Sequence, residues 1–186
     1  MIRFGIAIEK VMQSMTDINL QLLPEGDSQL LEPSEEWDFR IDGSPEELVR
    51  AMSKFMTDNG GVGLAAPQVG IKKRIFIMGN FTKLVACINP KIVSLSEERE
   101  NDLEGCLSFP DLFMKVKRPA SAVVQYNTVS GELVERELTG FECRVFLHEY
   151  DHLIGVTFDQ RAGDLTYKMA KEKRKKELKK AIRKSA

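Results

Sequence analysis

The chain carries two histidines, and both fall in one run, His148-Glu149-Tyr150-Asp151-His152. Residues four apart on a helix lie on one face, one turn above the other, so both imidazoles can reach one metal ion. Glu149 stands beside His148, where its carboxylate can approach a metal-held water without being a ligand. Metal-assisted hydrolysis needs these parts: an ion to acidify water, side chains to hold it, and a base to take the proton. A catalytic site of this kind has three protein ligands and one open position. The helix supplies two, so the chain must supply a third. The plain alternative is an ordinary helix with two packed or exposed histidines. The confinement of both histidines to this spacing favours the metal reading.

Three cysteines compete for the third position. Cys87 lies in an apolar, β-rich run and reads as core. Cys143 precedes His148 by five residues, off its helical face, and reads as packing. Cys106, in Glu104-Gly105-Cys106-Leu107-Ser108, is the candidate ligand; a cysteine in Gly-Cys-Leu alone is more often structural, and the helix lacking one ligand favours the metal role. An odd cysteine count without framework spacing points to a reducing compartment.

The elements around these residues follow from pattern. A helix is expected over residues 45–59, with Ser44 as N-cap, Pro45 at the first position and Glu47 completing a capping box. Leu48, Met52, Phe55 and Met56 form its apolar stripe, and Asn59-Gly60-Gly61 ends it. Small residues in Gly61-Val62-Gly63-Leu64-Ala65-Ala66-Pro67-Gln68 permit close backbone approach by a ligand or a strand. No Gly-Lys-Ser/Thr follows, so this is not a phosphate loop. Short β-rich runs at 74–78, 84–88, 91–95, 122–128 and 133–138 are separated by Gly79-Asn80, Asn89-Pro90 and Ser130-Gly131. Their close spacing favours antiparallel pairing. Residues 21–43 and the acidic stretch 97–102 read as irregular. The metal helix spans 141–153 and stops at Gly155; another spans 164–184 without a single apolar stripe.

At 186 residues the chain reads as one domain, with 1–20 as an N-terminal extension and 164–186 as a basic helical arm. No apolar run approaches the ~20 residues of a membrane span. The first twenty residues are apolar in character but carry Glu9 and Asp17 and lack a compact apolar core followed by a small-residue cleavage site, so no secretory signal is expected, and an organelle transit peptide stays open. A cytoplasmic protein is expected. Residues 168–184 carry a net +8, leaving −9 on the remainder of a chain whose net charge is −1.

Three runs in order, Gly61–Gln68, Glu104–Ser108 and His148–His152, followed by Leu153-Ile154-Gly155, resemble the signature motifs of the peptide deformylase family. The resemblance covers roughly residues 20–165. It implies an α+β fold in which antiparallel β-sheets pack around a central helix carrying the His-Glu-x-x-His motif, with an N-terminal helix and a basic C-terminal helix. It implies removal of the formyl group from the N-terminal formyl-methionine of nascent polypeptides in bacterial-type cytoplasm. The ligands it carries over are Cys106, His148 and His152, with Glu149 as base. Gln68 and the backbone N–H of Leu107 would steady the oxyanion. Gly61, Val62, Gly63, Glu104, Gly105, Phe141 and Val145 are the expected substrate-binding residues, with an apolar pocket for methionine among Val62, Phe141 and Val145. Phe113 stands where many members have arginine, and Leu147 where many have glutamine.

One divalent ion per chain is expected. The donor set alone suits zinc, which the affinity order places above ferrous iron. The resemblance implies Fe2+ in the most active form, with Zn2+, Ni2+ or Co2+ able to substitute. The basic arm suggests contact with the ribosome surface, of a kind that reads phosphate charge and not nucleic-acid sequence. The alternative function is another metal-dependent amide hydrolase, a deacylase or peptidase. A purely structural metal site is disfavoured by Glu149, since such sites close all four positions.

Overall fold

The computed structural model describes residues 18–80 and 82–185. Most of the expected N-terminal extension, residues 1–17, lies outside the described residues. Helix α1 (Glu46–Asp58) precedes strands β1 (Gly63–Ala65), β2 (Ile75–Asn80), β3 (Lys83–Leu95), β4 (Arg99–Cys106), β5 (Phe109–Pro119), β6 (Ser121–Asn127) and β7 (Leu133–Thr139). Helices α2 (Gly140–Leu153), α3 (Phe158–Ala162) and α4 (Asp164–Ser185) complete the chain, and short 3-10 turns lie at Ser28–Leu31 and Ala66–Val69. Five strands form one antiparallel sheet in the order β1-β2-β3-β6-β7, and β4 and β5 form a separate two-stranded ribbon. This is the expected α+β architecture.

Strand β2 explains how the main sheet sits between two helices. Its residues Ile75, Phe76, Ile77 and Met78 are all buried. Alternation sends Ile75 and Ile77 to one face, where they meet Leu48, Met52 and Met56 of α1. Phe76 and Met78 go to the other, where they meet Val145 and Phe146 of α2. Phe76 and Phe146 pack edge to face at 5.0 Å. Helix α2 therefore lies under the main sheet, and it also touches β5 of the ribbon.

Several expectations change in detail. The capping box of α1 does not form; instead the Ser44 hydroxyl accepts from the Glu46 N–H at 3.3 Å. The runs at 84–88 and 91–95 are one strand, β3, with an irregularity between Ile88 and Lys91. There Asn89 adopts φ 51°, and its side-chain amide is fixed by two bonds to the Trp37 backbone, at 2.7 and 2.9 Å. The acidic stretch at 97–102, expected to be irregular, lies largely within β4. Residues 99–103 are exposed, so no apolar alternation marks them as strand. The pairing is supplied by β5, whose Leu112, Met114 and Val116 are buried in alternation.

Two contacts fix the ends of the site-bearing helix and the arm. Gly155, just beyond α2, has φ 72°, and a Cβ there would lie 2.5 Å from the Leu31 carbonyl oxygen. Only glycine allows that close docking of the 3-10 turn Ser28–Leu31. On α4, Tyr167 and Ala170 pack on the cluster of Leu30, Phe109, Leu112 and Phe158. Arg174 reaches the Pro110 carbonyl at 3.1 Å and Glu25 at 2.7 Å, while Leu178 and Ile182 beyond it are exposed. Among the described residues no helix is long and apolar enough to cross a membrane.

Candidate metal centre

Helix α2 is buried on most of its surface, including Arg144, His148, Glu149, Asp151 and His152. Buried polar groups of this number require partners, because an unpaired one costs several kcal/mol. The ribbon supplies them. Cys106 ends β4, where the register shifts after Gly105, so that Cys106 opposes Phe109 at the turn. Its Sγ lies 3.4 Å from His152 Nε2. The candidate ligand atoms of Cys106, His148 and His152 all lie within 4.8 Å of one another. Bonds of ~2.1 Å to nitrogen and ~2.3 Å to sulfur give a tetrahedral edge of about 3.6 Å, so this set fits a divalent ion.

The cluster shifts its own titrating groups. Burial pulls His148 down, but Cys106 and Glu104 outweigh it and raise the imidazole to about 10. His152 is pushed well below its ordinary value by burial first, then by the charges of His148 and Arg118. Its Nδ1 has no hydrogen-bond partner among the described residues.

Glu149 is buried against this cluster, and burial raises its carboxyl to about 7 despite the nearby charges of His148 and Arg118. Its Oε2 has no hydrogen-bond partner among the described residues. A Cβ at Gly63 would lie 2.2 Å from Oε1, so strand β1 passes directly over the carboxylate and tolerates no side chain there. Gln68 is oriented by its own turn: Oε1 accepts from the Ala65 N–H at 2.8 Å. Nε2 is left to face Cys106 Sγ and Ser108 Oγ, each at 3.3 Å.

The cluster opens on a groove of about 680 Å³ whose lining includes Gly61, Val62, Gly63, Gly105 and Leu107. Phe141 and Val145 line it too and, with Val62, are shared with an adjoining cavity of about 230 Å³. One wall is β1, which among the described residues pairs only with β2 and so forms a sheet edge. Glu104 departs from the expected role. It borders the groove, but its carboxylate is turned inward and consumed by protein partners. Oε1 accepts from Arg118 Nε at 2.6 Å and Arg144 at 2.7 Å; Oε2 accepts from Arg118 at 2.9 Å and lies 3.0 Å from His148 Nδ1. That last contact fixes the ring so that Nε2 is the nitrogen free for metal. Arg118 continues to Asp151 at 2.8 Å, and Asp151 to Arg161 of α3 at 2.6 Å. Arg118, Arg144 and Asp151 were not singled out in the sequence. Arg144, His148 and Asp151 are nonetheless spaced i, i+4, i+7, a charged stripe on a helix otherwise rich in core residues.

A family model described as polypeptide deformylase matches residues 19–168. The peptide deformylase of Thermotoga neapolitana is 46% identical over 122 residues, 66% of this chain and 74% of the relative. The chain belongs to the polypeptide deformylase family. Among solved structures, the deformylase from Thermotoga maritima superposes with a TM-score of 0.74 at 39% identity, over 78% of this chain and 98% of that one. The deformylase from Synechococcus elongatus, in complex with actinonin, gives 0.78 at 35% identity over 83% and 85%.

The Glu104 network generates a pH dependence. Burial raises a carboxyl, but His148 and Arg118 overcome it and hold Glu104 at about 2, below the ordinary 4.5. The folded state therefore binds this proton more weakly than the unfolded chain. The resulting stabilisation, about 3 kcal/mol, is present above about pH 4.5 and is lost as pH falls toward about 2. Glu104→Gln removes the negative charge that two buried guanidinium groups share, and should cost about 3–5 kcal/mol near neutrality. Urea titrations across pH should show the wild-type advantage shrinking between those two pH values.

Proposed function

We propose that this deformylase-family chain removes the formyl group from N-formylmethionyl nascent peptides, with Cys106, His148 and His152 as ligands of one divalent ion. Ferrous iron is the proposed physiological ion, with Zn2+, Ni2+ or Co2+ as substitutes. The observation that carries the reading is a three-ligand cluster opening on a groove, beside a buried carboxylate of which one oxygen has no hydrogen-bond partner among the described residues.

When bound, such an ion supplies Lewis acidity at the position the three ligands leave open. The remaining work falls to this chain's residues. An extended peptide lies along residues 61–63, where the chain enters β1, held by main-chain hydrogen bonds, with methionine among Val62, Phe141 and Val145. Glu149 takes the proton of the attacking water and later delivers it to the leaving amine. Burial suits it to this exchange by bringing its pKa toward neutrality. The Gln68 amide and the Leu107 N–H donate to the developing oxyanion, each worth about 3 kcal/mol. Glu104 is a positioning residue, acting through His148. Gly105 leaves the wall beside the cysteine without a side chain.

Glu149→Gln should retain the metal but lower turnover on a formyl-methionyl peptide by about 100- to 10,000-fold. Near-wild-type turnover would overturn the mechanism. Release of acetate from acetyl-methionyl peptides, or cleavage of unblocked ones, at rates matching formate release would favour the deacylase or peptidase alternative.

We also propose that the exposed end of α4 meets ribosomal phosphate in the cytoplasm, where formylated chains emerge. An arm of +8 on a body of −9 is attracted while the body is repelled, which orients as well as recruits. The contact of Arg174 with Pro110 and Glu25 sets where the arm can be cut without disturbing the groove. Deleting residues 177–186 removes Lys179, Lys180, Arg183 and Lys184 and spares that anchor. Activity on a short formyl-methionyl peptide should persist. Ribosome co-sedimentation should weaken at low salt, with a salt slope reduced by about 3. Equal co-sedimentation across a salt series would make the arm only a solvated helix.

A further inference from the structure

Helix α4 is solvated along its second half, with one exception. Among residues 171–184 only Arg174 is not exposed, and its side chain is 17% accessible. Ordering a long charged side chain costs conformational entropy, so its contacts must offset that cost. They lie in two distant parts of the chain. Nη1 donates to the Pro110 carbonyl at 3.1 Å, and Nη2 donates to Glu25 Oε2 at 2.7 Å. Glu25 also accepts from the Tyr167 hydroxyl at 2.6 Å and pairs with Lys171 at 3.3 Å. Burial would raise the Glu25 carboxyl, but the hydrogen bonds of Tyr167 and Arg174 hold it below its ordinary value. Arg174 and Lys171 both lie beyond residue 168, where the match to the family ends.

Both anchors belong to segments that line the groove, residues 22–24 before Glu25 and residues 109–112 around Pro110. Each segment leads to one of the two groups assigned to the oxyanion. The Leu23 N–H donates to the Gln68 carbonyl at 2.8 Å. Pro110 follows the turn in which Cys106 pairs with Phe109, and Leu107 lies within that turn. Asp111 has φ 58°, a conformation that residues other than glycine rarely adopt. The carbonyl that Arg174 bonds is the one immediately before it, so the bond fixes the backbone where the turn is least free. Tyr167 and Ala170 of the same helix pack on the cluster that contains Phe109 and touches Cys106.

Resting on the deformylase reading, we propose that Arg174 is a positioning residue. Its guanidinium ties residues 22–25 to residues 109–112 and so sets the separation between the Gln68 amide and the Leu107 N–H. A rigid fork with two donors suits this bridge, whereas lysine keeps the charge but presents a single point. Oxyanion donors act in the transition state, so a change in their separation lowers kcat and leaves KM in place.

The test measures kcat and KM for formate release from a short formyl-methionyl peptide by the full-length, metal-loaded chain. Arg174→Lys and Arg174→Ala should each lower kcat by about 10-fold, short of the roughly 100-fold cost of a lost donor, with KM within about 2-fold of wild type. Lys173→Gln, on the exposed side of the same turn, removes an equal charge and should change neither constant. The double variant Glu25→Ala/Arg174→Ala should fall no further than Arg174→Ala alone, because both changes break one bridge. Amide hydrogen exchange on Arg174→Lys should quicken in both segments, residues 19–25 and 105–112. Wild-type kcat in Arg174→Lys, a rise in KM alone, multiplied losses in the double variant, or unaltered exchange in either segment overturns the proposal. Failure of the wild-type metal-loaded protein to release formate instead removes the deformylase reading beneath it, and the exchange measurement still tests the bridge.

Discussion

The buried carboxylate of Glu104 is the interaction on which the site depends. An ionised carboxylate is costly to bury without partners, and this one is met by two guanidinium groups and an imidazole. The four groups come from three elements: Arg118 from β5, Arg144 and His148 from α2, and Glu104 itself from β4. Satisfying one charge therefore fixes the ribbon against the helix. That placement brings Cys106, two residues after Glu104, beside His152. Asp151 extends the network through Arg161 to α3. Pairs of this kind need not add much net stability, but removing one member leaves the others buried and uncompensated. The network is best understood as a device for position.

The main sheet contributes the other half. Strand β2 is buried on both faces, so the sheet is held firmly between α1 and α2. Among the described residues its terminal strand β1 has one unpaired edge, beside the cluster. An exposed edge is ordinarily a liability, a template for unwanted pairing. Here it borders a groove, and Gly63 brings its backbone against Glu149 with no side chain between. The strand that would receive a peptide and the carboxylate that would act on it are thus in direct contact.

Much of this was legible in the sequence because the signals are local. The spacing of His148 and His152, the apolar stripe of Leu48, Met52 and Met56, and the β-rich runs of the main sheet all reflect short-range periodicity. The ribbon was harder to read. Strand β4 is exposed along residues 99–103, so nothing in its own composition marks it; its pairing depends on β5, where Met114-Lys115-Val116-Lys117 does alternate. Glu104 was expected to contact substrate; it borders the groove, and its carboxylate is taken up by Arg118, Arg144 and His148. The direction of its side chain is set by Arg118 and Arg144, fourteen and forty residues away. Long-range charge pairing leaves no local period. The stripe formed by Arg144, His148 and Asp151 was the one sequence signal of it.

The most direct test of the metal assignment is X-ray absorption at the metal edge of anaerobically purified protein. One sulfur at about 2.3 Å and two imidazole nitrogens at about 2.0–2.1 Å are expected if the ion is zinc-like in size. The sulfur shell should vanish in Cys106→Ser and persist in Cys87→Ser and Cys143→Ser. A sulfur shell retained in Cys106→Ser, or lost in either of the other two, would contradict the assignment of the centre.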